Sequence, residues 1–291
     1  MSLNLLKKPG AKSTDGNPIE GAPPQTRMDL NTQSSQHTGI KGLFESALRK
    51  FKTAMHLLTM MPLYTFTTVI FGTALFLPVL LFRAIYSYSE NFSIYPQSFL
   101  IGLALAAGYF TYGFSMLAII PTVNFLMRAN LKPWKGPYYS VESLKWFIHN
   151  GLTYLVRFTF LEFVTPSPVS NLFYQMMGMK IGKGVVINTT WISDPSMIEL
   201  GNKVTLGGSV TIVAHYGQGG ILILAPVKIG DNCTIGLKSS IMGGVTIGDG
   251  AKLLPHSVVM PKTVIPPGET WGGVPAQKIE IKQIYSVKKT A

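Results

Sequence analysis

Three patterns of apolar and polar positions follow one another along the chain. Residues 1–40 hold few apolar positions, and Ser13-Thr14-Asp15-Gly16-Asn17-Pro18 and Pro23-Pro24 carry turn and linker chemistry. Such a segment buries too little apolar surface to offset its ordering entropy, so a disordered tail is expected. It has no apolar stretch of the kind a secretory signal needs. The second pattern is continuous hydrophobicity. No Asp, Glu, Lys or Arg occurs in the 30 positions from Thr53 to Phe82, or in the 37 from Asn91 to Met127. A membrane-spanning helix needs about 20 apolar residues. The windows predict spanning helices near Leu63–Phe82 and Phe99–Leu126, joined as a hairpin by Arg83–Gln97. Pro78 and Pro121 fall inside them, which spanning helices tolerate.

The third pattern begins after Met179 and has a period of six. Ile229, Ile235, Ile241, Ile247, Leu253, Val259 and Ile265 are seven aliphatic positions in register. Cys233, Ser239, Val245, Ala251, Ser257 and Thr263, all small, stand four residues after the first six of these. An earlier block repeats the pattern at Leu200, Leu206 and Ile212, and Ile181 and Ile187 open it. Hexapeptide spacing predicts a parallel β-helix, with the aliphatic side chain inside the prism and the small one at its corner. One coil cannot bury its apolar row alone; stacked coils make a continuous core. Cys233 then fills a corner slot as a small hydrophobe.

Between the tail and the prism, Val141–Val164 reads as an amphipathic helix. Lys145, His149, Thr153 and Arg157 share one side, and Leu144, Phe147, Ile148, Leu155 and Phe158 occupy the other. Two readings stay open: a helix lying in the membrane interface, or a helix packing the prism onto the hairpin. On the first, His149 is a lipid-facing polar group. The domains expected are a tail over 1–40, a transmembrane hairpin over 41–135, connecting helices over 136–178, the β-helix over 179–281 and a tail over 282–291.

Composition and charge change this picture little. The chain is 47% hydrophobic and only 13% charged, against about 25% charged in an average soluble domain. The net charge of +12 is partly topological. Lys41, Arg49, Lys50 and Lys52 precede the first apolar window, and Arg128, Lys132, Lys135 and Lys145 follow the second. Basic outer flanks put both termini and the prism in the cytoplasm, against the inner membrane. Nucleic-acid binding is not expected, because no base-reading motif accompanies the basic residues. The single cysteine, Cys233, excludes an intrachain disulfide and a multi-cysteine zinc site.

The period of six stops after Ile212 and resumes at Ile229, and the interruption contains Val213-Ala214-His215-Tyr216-Gly217. A break in a solenoid expels a loop, and such loops carry function. Here the chain resembles the hexapeptide-repeat acyltransferases of left-handed parallel β-helix fold, which include galactoside, maltose and serine acetyltransferases. The resemblance covers about Ile181 to Ile281. It rests on the repeat, on Thr211-Ile-Val-Ala-His215, on Ile241-Met-Gly-Gly-Val-Thr-Ile-Gly248, and on Ile265-Pro-Pro-Gly268 with Gly272-Gly-Val-Pro-Ala276. The region from Trp146 to Gly201, with Tyr174-Gln-Met-Met-Gly-Met-Lys-Ile-Gly182 and Ser193-Asp-Pro195, also resembles the membrane-embedded terminal domains of poly-amino-acid synthetases.

The resemblance implies a homotrimer with active sites between neighbouring prisms, acetyl-CoA or another acyl-CoA as donor, no metal, and a loop histidine as base. His215 is that histidine. An imidazole, with an ordinary pKa near 6.5, suits removal of a proton from a weakly nucleophilic acceptor and contributes roughly 10²–10⁴-fold. Asp194 either orients the imidazole or caps a loop. Backbone N–H groups at Gly243 and Gly244 either stabilise the oxyanion or only form a tight corner. Lys262, Gly273 and Lys278 lie at the closing coils; the lysines either hold a CoA phosphate or are solvated. His256 is expected at the surface, at most as a CoA contact. The acceptor expected is a sugar, a glycan precursor or a lipid-linked hydroxyl. The competing readings are an amine acceptor and a non-catalytic membrane-bound trimeric scaffold. A zinc-dependent carbonic anhydrase on the same prism is set aside, because the prism offers only His215 and His256.

Overall fold

The computed structural model describes residues 38–280. The tail expectations for residues 1–37 and 282–291 lie outside the described residues. The first elements are helices α1 (Gly39–Lys50), α2 (Lys52–Ser89) and α3 (Ile94–Leu126). Helices α2 and α3 pack as an antiparallel hairpin. The expected ends move: α2 runs seven residues past Phe82 and α3 starts five before Phe99, so the connection shrinks to Glu90–Ser93. Nothing in Ala84–Tyr88 breaks a helix, and the Ser89 hydroxyl closes the last turn onto Ile85 O at 2.8 Å. Pro62 and Pro78 lie within α2 and Pro121 within α3.

Two helices, Met61–Ser89 and Ile94–Leu126, are long and apolar enough to cross a membrane by length and composition. Their polar side chains suit an apolar surrounding. Thr68, Thr73, Thr111 and Thr122 each donate to the carbonyl four residues earlier, at 2.8–2.9 Å, so these hydroxyls need no water. The hairpin closes through small residues: Ala74 and Ala104 are buried, and a Cβ on Gly108 would sit 3.7 Å from Pro78. Close backbone approach of this kind favours helix association where no hydrophobic effect operates.

A strand, Trp134–Pro137, leads into α4 (Val141–Arg157), a 3₁₀ turn at Leu161–Val164 and α5 (Pro168–Met176). Ser140 and Ser143 form a reciprocal cap at the start of α4, satisfying N–H groups that a helix start leaves open. The expected single helix to Val164 thus ends at Arg157. Beyond it Phe160, fully buried, docks on α3 at Gly113, where any Cβ would lie 2.1 Å from the ring. Beyond Lys145, which is exposed, the basic stripe of α4 turns inward. His149, Thr153 and Arg157 are buried, against the expectation of a lipid-facing His149, and the Arg157 guanidinium lies 3.5 Å over the Trp191 ring. Of the two readings for this helix, the structure has it packing prism against hairpin.

From Lys180 to Lys278 the chain winds as a three-sided parallel coil. Strands Lys180–Ile181, Ile198–Leu200, Val227–Ile229, Thr246–Ile247 and Val264–Ile265 form one ladder. A second ladder starts at Val186–Ile187 and ends at Thr270–Gly272, and a third runs from Ile192–Ser193 to Val258–Val259. The antiparallel strand Gln277–Lys278 closes the second ladder. The seven period-six aliphatics are all 3% exposed or less. The corner residues Cys233, Ser239, Val245, Ala251 and Ser257 are fully buried. Ser239 Oγ–H donates to Leu254 O at 2.9 Å and Cys233 Sγ–H to Gly248 O at 3.1 Å. Burial pushes the Cys233 thiol pKa up, which keeps it protonated and unreactive.

Candidate active site

The coil loses its regularity at two places, and they stack. Ile187 and Leu200 are 13 residues apart instead of 12. The extra residue is absorbed at a corner where Asp194 takes a left-handed backbone (φ 60°, ψ 47°) and a short 3₁₀ turn, Pro195–Met197, follows. Asp is among the few residues that accept this conformation. One coil on, the third ladder pairs Ser193 with Val213, so the second lapse begins directly over the first. This second lapse is an ordered antiparallel hairpin, His215–Gln218 with Ile221–Leu224. The strand Trp134–Pro137, placed by the sequence reading in hairpin and connecting segments, adds to its free edge.

The stacked lapses bring Asp194 and His215 together. His215 Nδ1–H donates to Asp194 Oδ2 at 2.5 Å. The same oxygen accepts from Ala214 N–H at 3.0 Å. Asp194 is fully buried; the His215 side chain is 21% exposed. With Nδ1 holding the proton, Nε2 is the acceptor nitrogen, and no described residue bonds to it. The imidazole edge also meets the Trp146 ring, centroids 4.9 Å apart.

Sequence reasoning missed Asn150 on α4. Its Nδ2–H donates to Asp194 Oδ1 at 2.6 Å, and its Oδ1 accepts from Asp194 N–H at 3.0 Å. One amide thus holds both the carboxylate and the backbone of the strained corner. Its neighbour His149 anchors the same helix to the hairpin. His149 Nδ1–H donates to Asn124 Oδ1 at 2.8 Å, and Nε2 faces Ser196 Oγ at 3.3 Å. Burial, more than the opposing pull of Asp194, lowers the His149 pKa to about 4, so this ring is neutral and is a structural group.

The remaining candidates lie along or near the same prism edge. A Cβ on Gly243 would approach His215 N at 3.0 Å, so glycine lets this coil stack closely under the histidine. Gly244 N–H donates to Ala225 O at 3.1 Å and is therefore committed; of the two expected oxyanion donors, the structure takes this one away. Lys262 N–H donates to Gly243 O at 3.1 Å, placing exposed Lys262 one coil beyond Gly243 and two from His215. Gly273 caps the third ladder by accepting Val258 N–H at 3.0 Å. Lys278 Nζ pairs with Glu269 Oε1 at 2.6 Å, and that hydrogen bond raises the lysine pKa and lowers that of Glu269. Lys278 is thus an exposed lysine paired with Glu269. His256 is an exposed turn residue with φ 58°.

Comparisons with known proteins agree with the repeat. A family model described as the hexapeptide repeat of succinyl-transferase matches residues 226–253. The chain is 24% identical over 158 residues to the delta-poly-L-ornithine synthetase of Acinetobacter baumannii, covering 54% of this chain and 12% of that protein. It is 33% identical over 115 residues to a 2,3,4,5-tetrahydropyridine-2,6-dicarboxylate N-succinyltransferase of Polynucleobacter asymbioticus, covering 37% and 39%. The chain therefore spans less than half the length of these curated relatives. A hexapeptide-repeat acetyltransferase of Vibrio cholerae, solved with acetyl coenzyme A, is 18% identical with a TM-score of 0.40, over 53% of this chain and 96% of that one. This is a hexapeptide-repeat chain similar to acyltransferases.

Proposed function

We propose that the chain is a membrane-anchored, acyl-CoA-dependent acyltransferase of left-handed parallel β-helix fold, with His215 as general base. The observation that carries this reading is the buried Asp194 carboxylate bonded to His215 Nδ1 at 2.5 Å, at the corner where a hexapeptide coil is twice interrupted. The carboxylate fixes the tautomer, so Nε2 is free to take the proton of an acceptor hydroxyl as its oxygen attacks the thioester carbonyl. The tetrahedral intermediate collapses by breaking the C–S bond, and the imidazolium returns its proton to the departing CoA thiolate. Gly243 N–H, on the coil beneath His215, is the oxyanion donor of this reading. Lys262, one coil further, is the cation for a CoA phosphate.

An acetyl donor and a hydroxyl acceptor on a sugar, glycan precursor or lipid are the leading assignment. The same base serves an amine, and the names of the two relatives, a poly-ornithine synthetase and an N-succinyltransferase, support that second reading. The basic flanks of the hairpin support a prism on the cytoplasmic face of the membrane, with a homotrimer completing the cleft along the His215 edge. The test is acetyl transfer by the full chain in lipid nanodiscs, given radiolabelled acetyl-CoA and a membrane-lipid and glycan extract. Release of CoA with label on an extract component is expected. No binding of acetyl-CoA and no release would leave the scaffold reading in its place.

A further inference from the structure

A cavity of about 910 Å³ opens between α1, α2 and α4, within the roughly 300–1,000 Å³ of ligand sites. Phe44 and Leu48 of α1, Leu63 and Thr67 of α2, and Phe147 and Gly151 of α4 form its walls, and none of its lining residues is charged. Tyr138, Ser140 and Ser143 give one end a few hydroxyls. Leu58 and Tyr64 line it and are more than 60% exposed. The cavity therefore continues the apolar outer face of α2, where the stretch able to cross a membrane begins.

A glycine opens this space, and a stack of rings ties it to the candidate active site. Gly151 sits inside α4, where glycine weakens a helix, yet a Cβ there would meet nothing within 4 Å. Its lack of a side chain leaves room in the cavity. On the prism side, the Phe147 ring packs on Trp146 at 4.7 Å, and Trp146 packs on His215 at 4.9 Å. Trp146 is over nine-tenths buried, and its Nε1–H has no partner among the described residues. Buried donors are seldom left unpaired without a reason.

We propose that this cavity takes the hydrocarbon chain of a lipid-linked acceptor, with Trp146 at the junction between the chain and the head group presented to His215. The inference rests on the acyltransferase reading and narrows its acceptor to an amphiphile drawn from the membrane. An aqueous sugar would have no use for an uncharged, apolar chamber joined to the base through the rings of Phe147 and Trp146. A hydrocarbon chain fills it, and a head-group oxygen satisfies the indole N–H.

The test is photo-crosslinking of the full chain in nanodiscs with a diazirine-bearing hexadecyl glucoside, against a diazirine-bearing methyl glucoside. Label from the hexadecyl probe is expected on peptides of α1 and α4, displaced by unlabelled hexadecyl glucoside. Filling the space with Gly151→Trp should cut that label at least tenfold, and Thr67→Trp on the facing wall should do the same. Comparing acetyl-CoA binding and melting of each variant with the parent shows that the fold survives. Label undiminished in both folded variants, label spread along α2 and α3 as by bulk lipid, or crosslinks from the cavity to a second copy or to residues 1–37 would each overturn the proposal. Acetyl-CoA bound without chain labelling sinks this inference alone; chain labelling without acetyl-CoA binding leaves a lipid site but sinks the acyltransferase reading, and with it the assignment of the lipid as acceptor.

Discussion

The prism has regular corners and irregular ones, and they are held in different ways. At the regular corners between residues 229 and 265, polar groups are tied to the adjacent coil: Ser239 Oγ–H donates to Leu254 O at 2.9 Å, and Asp231 N–H donates to Asp249 Oδ1 at 2.8 Å. Each coil repeats its neighbour, so nothing is left to bind. At the irregular corner of Asp194 the coil does not satisfy itself, and α4 supplies what is missing through Asn150; Asp194 in turn holds the second irregular corner through Ala214 N–H and His215. A solenoid gives rigidity where it repeats; it acquires chemistry where an outside element has to complete it. The difference separates stability from turnover, and substitutions on the two sides can break the distinction.

The largest expected effect is in the regular coil. Ile241 is fully buried between Ile212 and Val259 of adjacent layers. Ile241→Ala should cost about 2–5 kcal/mol of stability through lost burial and a residual cavity, read as a lowered unfolding midpoint, with acetyl transfer per folded molecule unchanged. A second effect belongs to the seam between α4 and the hairpin. His149 takes a proton near pH 6.5 when unfolded and only at about pH 4 when folded. Between those values the unfolded chain binds more protons, so stability falls as pH drops from 6.5 towards 4 and then levels off. The loss is on the order of 3 kcal/mol. Replacing the ring by His149→Gln should flatten the midpoint-against-pH curve in that window; an unchanged slope would assign the acid sensitivity elsewhere.

The smallest of these effects falls on the irregular corner. Asn150→Ala should lower kcat about ten- to a hundredfold, or about 1.4–2.7 kcal/mol, with the KM for acetyl-CoA unchanged. The amide bonds Asp194 and so acts through it. A fall in stability with kcat intact would make Asn150 a packing residue and remove the contrast between the two kinds of corner.

Local rules made the coil readable. A period of six with small residues four places on states burial directly, and all seven aliphatics are inside. The lapse carrying His215 was equally visible as a loss of register. The lapse carrying Asp194 is a single extra residue between Ile187 and Leu200, a fainter mark of the same kind. The partner of Asp194 could not be read, because Asn150 lies 44 residues away on a helix whose orientation only packing decides. The same limit explains His149. Helical period groups Lys145, His149, Thr153 and Arg157 on one side, but it does not say which side is buried. Asn124 and Ser196 meet that side with hydrogen-bonding groups, and they lie on a different helix and a different coil.

The central claim is that His215, fixed by Asp194, moves the proton in acyl transfer. It is tested most directly by comparing CoA release from acetyl-CoA by the full chain and by His215→Ala, both in nanodiscs and both shown to keep the parent circular-dichroism spectrum. The account predicts a fall of at least about a hundredfold in the variant. Equal turnover in a folded His215→Ala chain would contradict it.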